Sequence, residues 1–333
     1  MRIEELTLEE WEDEFPADGF GVFHRPEALQ VLEEYWSGRL LLYGGYRGEQ
    51  LVGLMPLFVR TIAGVTAVLS PPPGFSVPRL GPILLPASPK PHKRERTNRE
   101  FVEQVLEKVG ADDPLTLVGT VATPAYADPR PFRWHGFDVE PRFTYSIDLA
   151  DRDIDDVMMS FSKDLRTEIR DAQELPLTVS VADVDAAAFV YDRYQDRFEE
   201  QGLSMPTSRD FAIDLVHALG DHARVYVVEG PDGERLSGIL VLYSDEVAYS
   251  WMGGTPAYYE GTSVNGLLEK HLMSDILTEP ELESIVAYDL GNANKEQLVE
   301  QKSKYAPELV SHYELKSGPL MSVAKRVYQE LTY

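Results

Sequence analysis

Polar and apolar positions alternate through most of the hydrophobic runs of this chain and change to a three-to-four spacing between them. RLLLYGGYRGEQLVGLMPLFVR, 39–60, predicts two strands around a Gly-containing turn. VTAVLS at 65–70, RLGPILL at 79–85, PLTLVGT at 114–120 and FDVEPRFTYSIDL at 137–149 predict further strands. SPPPG, after 65–70, must be a rigid loop, because proline has no ladder donor. Leu29, Leu32 and Trp36 give 24–36 the apolar stripe of a helix, and 97–109 predicts another with Thr97 as its N-cap. The later sequence predicts helices over 161–175, 184–201, 208–219, 262–277, 294–304 and 318–331. Strands fall between them at 177–181, 223–229, 235–243, 246–252, 284–290 and 308–316. That alternation predicts an α/β protein, with hairpins making its sheets mixed.

The chain has 333 residues, more than one hydrophobic core usually spans, so two domains are expected, 1–150 and 151–333. Shifted by 185 residues, 39–58 lies on 224–243 without a gap, with seven identities that include Gly45/Gly230, Gly53/Gly238 and Leu57/Leu242. Two Gly-turn hairpins obeying the same turn chemistry would share some of these matches. The helices at 24–36 and 208–219 keep nearly the same offset, and duplication of one α/β unit is the expectation. It predicts that 39–58 and 224–243 superpose.

Charge narrows the class. The formal net charge is −25, spread from Glu4 to Glu330. Such a surface disfavours tight nucleic-acid binding, which needs a basic footprint. It suits a salt-rich cytoplasm, where repulsion is screened. The fold is therefore expected to melt at a higher temperature in molar KCl than in dilute buffer; a flat or falling melting temperature would remove the salt reading. One basic run, Lys90 to Arg99, interrupts the acidity and reads as a solvated loop ahead of a helix. There is no cysteine, hence no thiolate zinc site or cysteine nucleophile. No signal-peptide h-region or membrane-length apolar run is present, so a cytoplasmic protein is expected. No P-loop or HExxH spacing occurs.

The strand–G-x-x-G-E-x-L-x-G–strand pattern, with a helix before it and a strand and long helix after it, resembles the GNAT acyltransferase fold. Two such units resemble the Fem-type peptidyltransferases and their GNAT-like relatives. FSKDLRTEIRDAQEL at 161–175, YYEGTSVNGLLEKHL at 258–272, VAYDLGNAN at 286–294 and EQKSKYAPELVSHYEL at 300–315 carry the likeness in the second half. LMPLFV, SPPPGF and 130–149 carry it in the first. The resemblance implies two tandem GNAT-like domains, each a mixed β-sheet flanked by helices, with the active site in the second. It implies transfer of an acyl group from an acyl-CoA-like thioester to an amine. Aminoacyl-tRNA-dependent peptide-bond formation is the alternative within the Fem group, and a non-catalytic binding module the alternative outside it. The usual Arg/Gln-x-x-Gly-x-Gly/Ala carrier loop is absent; Tyr-Glu-Gly-Thr-Ser stands in its place.

Candidate residues follow from position. Gly261, Thr262 and Ser263 open the expected 262–277 helix and could hold a carrier phosphate on its N–H groups, or simply cap it. Lys163, Arg166 and Arg170 share one helix face, as an anion site or as a solvated ion-paired stripe. Asp289 and Asn292 end a strand, where α/β folds place binding groups, although an Asx turn around Gly291 reads the same way. Lys302 could meet a developing oxyanion or an acceptor carboxylate, or be a surface lysine. The expected roles are catalytic for Lys302 and Asp289, carrier-binding for Gly261, Thr262 and Ser263, and substrate-binding for Asn292, Arg166 and Arg170.

Overall fold

The computed structural model describes residues 1–85 and 88–317. The helix expected over 318–331 lies outside them. The chain divides into two units: Met1–Arg142 together with the described residues from Ser311 on, and Phe143–Val310.

The first unit holds β1 (Arg2–Leu6), α1 (Leu8–Asp13), α2 (Pro26–Tyr35), β2 (Arg39–Arg47), β3 (Gln50–Ile62), β4 (Val65–Ser70), β5 (Ile83–Leu84), α3 (Pro91–Lys108), β6 (Thr116–Val121) and α4 (Arg130–Trp134). β7 (Phe137–Asp148) has residues in both units. The second unit continues with α5 (Ile154–Ser160), α6 (Lys163–Gln173), β8 (Thr178–Ala182), α7 (Ala186–Glu200), α8 (Arg209–Leu219), β9 (Ala223–Glu229), β10 (Arg235–Tyr243) and β11 (Val247–Gly253). It ends with β12 (Tyr258–Tyr259), β13 (Thr262–Ser263), α9 (Asn265–Thr278), β14 (Ala287–Asn292), α10 (Glu296–Lys302) and the start of β15 (Glu308–Ser317). The expected 151–333 domain thus gives up the second half of β15, where Glu314–Lys316 pairs with Val121–Gly119 of β6 in the first unit.

Both units repeat one plan. In the first the strand order is β1-β2-β3-β4-β6-β15, with β5 on β3; in the second it is β8-β9-β10-β11-β14-β7. In each, a strand and two helices precede a hairpin, and a third antiparallel strand follows. A helix then carries the chain to a parallel neighbour, the short-loop and crossover geometry that mixed sheets require. α3 covers Leu41, Tyr43, Met55 and Leu57 in the first core, and α9 covers Tyr226, Val228, Ile239 and Val241 in the second.

The two hairpins occupy the same topological position, but they do not superpose without a gap. β2 and β3 turn through two residues, with Arg47 opposite Gln50, whereas β9 and β10 turn through five, with Glu229 opposite Arg235. Leu41 pairs with Leu57, and its counterpart Tyr226 pairs with Ile239, three residues earlier than the 185 offset requires. An odd slip sends every side chain of the second strand to the other face. Gly53 accordingly lies under Phe101 of α3, and Gly238 lies under Val190 of α7. The identities Gly53/Gly238 and Leu57/Leu242 therefore record hairpin chemistry rather than equivalent places.

Two other boundaries differ from expectation. The basic run is helical: α3 begins at Pro91, because proline fits the first turn, where no N–H is needed. Thr97 is therefore inside the helix, not at its cap, and its hydroxyl donates to the Lys93 carbonyl. The 79–85 strand shrinks to β5, two residues on β3.

Candidate functional site

The second unit opens where its two parallel strands part. β11 pairs with β14 only from Val247/Ala287 to Tyr249/Asp289. Beyond that, Ser250–Gly253 stays with β10, and Gly291–Asn292 follows β7. The facing backbone edges are no longer paired there, although the Ser250 carbonyl oxygen still lies 3.8 Å from where a Gly291 Cβ would be. A bulge adds to the parting, since Leu240 faces Met252 and Val241 faces Ser250, leaving Trp251 as the extra residue. Among the described residues the first unit shows no such parting. There β4 and β6 pair from Thr66/Thr116 to Ser70/Thr120, and a parallel bridge from Leu80 to Ala122 lies beyond the last pair.

Gly291 sits at the fork with φ +79°, a conformation that favours glycine. A Cβ there would lie 3.7 Å from the Tyr249 hydroxyl and 3.8 Å from Lys302 Nζ, so both side chains reach the fork. Lys302 is half-buried, and its Nζ donates to the Asn292 carbonyl at 3.0 Å. Burial lowers its pKa to about 8, against the opposing charges of Asp289 and Glu269 and with the help of the Arg197 cation.

Asp289 is buried, and its Oδ1 accepts from the Thr144 hydroxyl and, at 2.7 Å, from the Gly291 N–H. The second bond is an Asx turn. The carboxylate therefore fixes the strand end that carries the fork. The Asn292 side chain is used in the same way: Oδ1 accepts from the Asn294 N–H at 2.8 Å.

The acid best suited to proton transfer is Glu269, which no motif in the sequence singles out. It lies on the second turn of α9, four residues after Asn265 and four before the buried Met273. Its Oε2 accepts from the buried Tyr288 hydroxyl at 2.8 Å. Burial raises its pKa to about 7, although the Tyr288 bond and the Lys302 charge pull it down. Tyr288 is itself held far above the usual phenol range by burial and by the Glu269 charge, so it stays a donor. A signal was present all the same: a glutamate sits on the inward stripe formed by Asn265, Leu272, Met273 and Ile276.

Other expected residues fall elsewhere. Gly261, Thr262 and Ser263 do not open the helix, which starts at Asn265. Glu260 and Gly261 form the two-residue turn of the β12–β13 hairpin, both with positive φ, and Thr262 pairs with Tyr259. Arg166 donates to the Met159 carbonyl at 2.8 Å, and Arg170 pairs at the surface with Asp171. Neither bond reaches the fork. Among the described residues no group of His, Asp and Glu has the arrangement of a metal site. An open depression of about 570 Å³ lined by Arg133 and residues 136–141 holds none of these groups.

A helix, a bulged antiparallel strand, and a parallel neighbour that parts from it around a glutamate and a lysine make up the site. Residues 159–301 match the family model of the acetyltransferase (GNAT) domain. The GNAT match runs from the end of α5 to one residue short of Lys302, so it takes in the fork and Glu269. No curated protein matches the chain. Among solved structures, FemX is similar over 94% of this chain and 97% of its own, at 12% identity and a TM-score of 0.70. L-PGS from Bacillus licheniformis is similar over 97% of this chain and 95% of its own, at 15% identity and a TM-score of 0.57. A tandem GNAT protein from the clavulanic acid biosynthesis pathway is similar over 95% of this chain and 97% of its own, at 11% identity and a TM-score of 0.51. These likenesses establish the fold as a tandem GNAT-like one. Among the described residues, no helix is long and apolar enough to cross a membrane.

Proposed function

We propose that the second unit is an N-acyltransferase whose acyl donor lies in the slot between β11 and β14, with Glu269 as its general base. The observation that carries this reading is the fork itself, where the strands part at Tyr249/Asp289 beside a glutamate poised near neutral pKa. The unpaired backbone edges suit an extended, amide-rich carrier arm, which could hydrogen-bond along them as a strand would. The residues fit an acyl thioester at the slot; they fit its phosphates less well. Glu260, an acid, stands at the turn where the resemblance expects a phosphate cradle. The thioester supplies an activated carbonyl, and the chain's groups do the rest.

An amine must lose its ammonium proton before its lone pair can attack, and a carboxylate titrating near 7 accepts that proton at neutral pH. The N–C bond forms, the C–S bond breaks, and the second amine proton passes to the departing sulfur. The Tyr288 hydroxyl holds Glu269 in place throughout. Asp289, through Thr144 and Gly291, keeps the fork open at the reacting end. Lys302 supplies the positive charge beside it. Neither a metal nor a covalent residue is required.

Acetyl-CoA and longer acyl-CoA thioesters should stabilise the purified protein. At 100 times the dissociation constant a ligand adds about 2.7 kcal/mol, a shift of several degrees in a domain of this size. No shift with any thioester would remove the acyl-CoA donor. Aminoacyl-tRNA as donor rests on a separate observation, the exposed Lys90 at the cap of α3 and Lys93, Arg94 and Arg99 along it. A shift with charged tRNA and none with thioesters would favour it.

A further inference from the structure

A fork keeps its shape only if both lips are held. The β14 lip is fixed by Asp289, through Thr144 and Gly291. The β11 lip has to be held differently, because the strand leaves its sheet there. Past the last ladder pair, Ile239/Gly253, the Gly254 N–H donates to the Gly238 carbonyl at 3.0 Å. Gly253 and Gly254 both have positive φ, +117° and +62°, and the chain turns out of β11 at this point. The carbonyls that follow need partners from elsewhere.

Asn265, the first residue of α9, supplies them. Its Nδ2 donates to the Gly254 and Thr255 carbonyls at 2.9 and 3.0 Å. Its Oδ1 accepts from the buried Ser237 hydroxyl of β10 at 2.8 Å. Carbonyls only accept, so the amide can face them one way alone. An asparagine at a helix start usually turns its oxygen back onto the helix's own N–H groups. Here both ends of the amide go to other elements, and a side-chain amide is the group with two donors and an acceptor. The anchor itself is firm. A Cβ on the neighbouring Gly266 would lie 2.8 Å from Ile169 and 3.2 Å from Leu165, so the first turn of α9 is pressed against α6. The hold from the other side is weaker: the Thr255 hydroxyl reaches the Arg193 carbonyl of α7 at 3.5 Å. Glu269 follows four residues after Asn265 on the same helix face, so one turn of α9 carries both the lip's anchor and the base.

We propose that Asn265 is a positioning residue for the acyl donor, holding the β11 lip, Ser250–Gly254, in the place where the donor's arm pairs with it. The inference rests on the acyltransferase reading and names the residue that prepares the donor's place. A backbone edge already fixed in its bound form loses less freedom when the arm arrives, which raises affinity without a new contact. Asn265 acts through the lip. Its loss should weaken donor binding and leave Glu269 with its Tyr288 bond.

The test compares wild type, Asn265→Asp, Asn265→Ala and Ser237→Ala as full chains, by hydrogen exchange without ligand and by calorimetric titration with acetyl-CoA. Asn265→Asp keeps the shape and the acceptor for Ser237, but turns two donations into repulsions. Ser237→Ala removes a buried bond to Asn265 and keeps both bonds to the lip. In both Asn265 variants Ser250–Thr255 should exchange about 10-fold faster or more, with Leu268–Ile276 of α9 unchanged. Their acetyl-CoA dissociation constants should rise by about 10-fold or more, the scale of two lost hydrogen bonds. Ser237→Ala should melt earlier yet bind acetyl-CoA within about threefold of wild type, a split that a merely structural asparagine would not give. Unchanged exchange at the lip, unchanged acetyl-CoA affinity in the Asn265 variants, or equal weakening by Ser237→Ala would overturn the proposal. Failure of wild type to bind acetyl-CoA would instead count against the donor, and the exchange result alone would then decide whether Asn265 holds the lip.

Discussion

Glu269→Gln should lose activity and gain stability. The amide still accepts from the Tyr288 hydroxyl, so the local hydrogen bond survives, but it cannot take a proton from the amine. Removing a general base costs about 10²–10⁴-fold in rate. The stability change has the opposite sign to that of most substitutions at a half-buried residue. The folded pKa of about 7 stands above the ordinary glutamate value of 4.5. Between those pH values the native state holds a proton that the unfolded chain has released. Stability from this group is therefore full below pH 4.5, falls as pH rises, and is gone above about 7. Glutamine carries no such cost, and the variant should be more stable than wild type at pH 8 by roughly 1–3 kcal/mol. A glutamate outside the chemistry would give a variant stabilised in the same way but still active. Melting curves and rates at pH 5 and pH 8 separate the two.

Lys302→Met should lower kcat/KM for the acceptor by about 100-fold, the scale of losing one charged contact in a reacting site. Its effect on melting should be small, because methionine keeps the packed stem and the charge itself is unfavourable in its buried setting. The pH profile gives a sharper readout. In wild type the rate should climb as Glu269 ionises near pH 7 and decline as Lys302 discharges near pH 8, a narrow bell whose limbs belong to the interacting pair. Without the cation, the Glu269 carboxylate loses a stabilising charge. The acid limb should therefore move upward in pH and the alkaline limb should vanish. Unchanged limbs would mean that Lys302 is remote from the chemistry.

Much of the fold was legible in the sequence because its strands are strongly patterned and its turns carry glycine. β2 and β3, β9 and β10, and the parallel strands β6 and β14 all fall where the alternation places them. Register was not legible. Five loop residues against two change which residues pair, and the ungapped match of 39–58 with 224–243 conceals a three-residue slip. Helix starts were read from caps, and caps misled twice. Thr97 bonds back to Lys93 inside α3, and Thr262 and Ser263 belong to a hairpin that delays α9 to Asn265. Within the site, Lys302 and Asp289 stand out by their position after a strand end, and both lie at the fork. The proposed function gives Glu269 the general-base role that the sequence suggested for Asp289, whose Oδ1 accepts from Thr144 and Gly291. Glu269 leaves only one trace in the sequence, a glutamate on the inward stripe of α9; its partner Tyr288 comes from a strand that spacing does not connect to it.

The proposed acyl donor occupies the opening between β11 and β14 and nowhere in the first unit. Hydrogen exchange with and without saturating acyl-CoA tests it most directly, since backbone edges that gain a partner slow their exchange. New protection is expected in Ser250–Gly254 and Leu290–Asn294, with Val68–Ser70 and Thr120–Ala122 of the first unit unchanged. Protection confined to the first unit, or none at the fork while acyl-CoA is demonstrably bound, would contradict it.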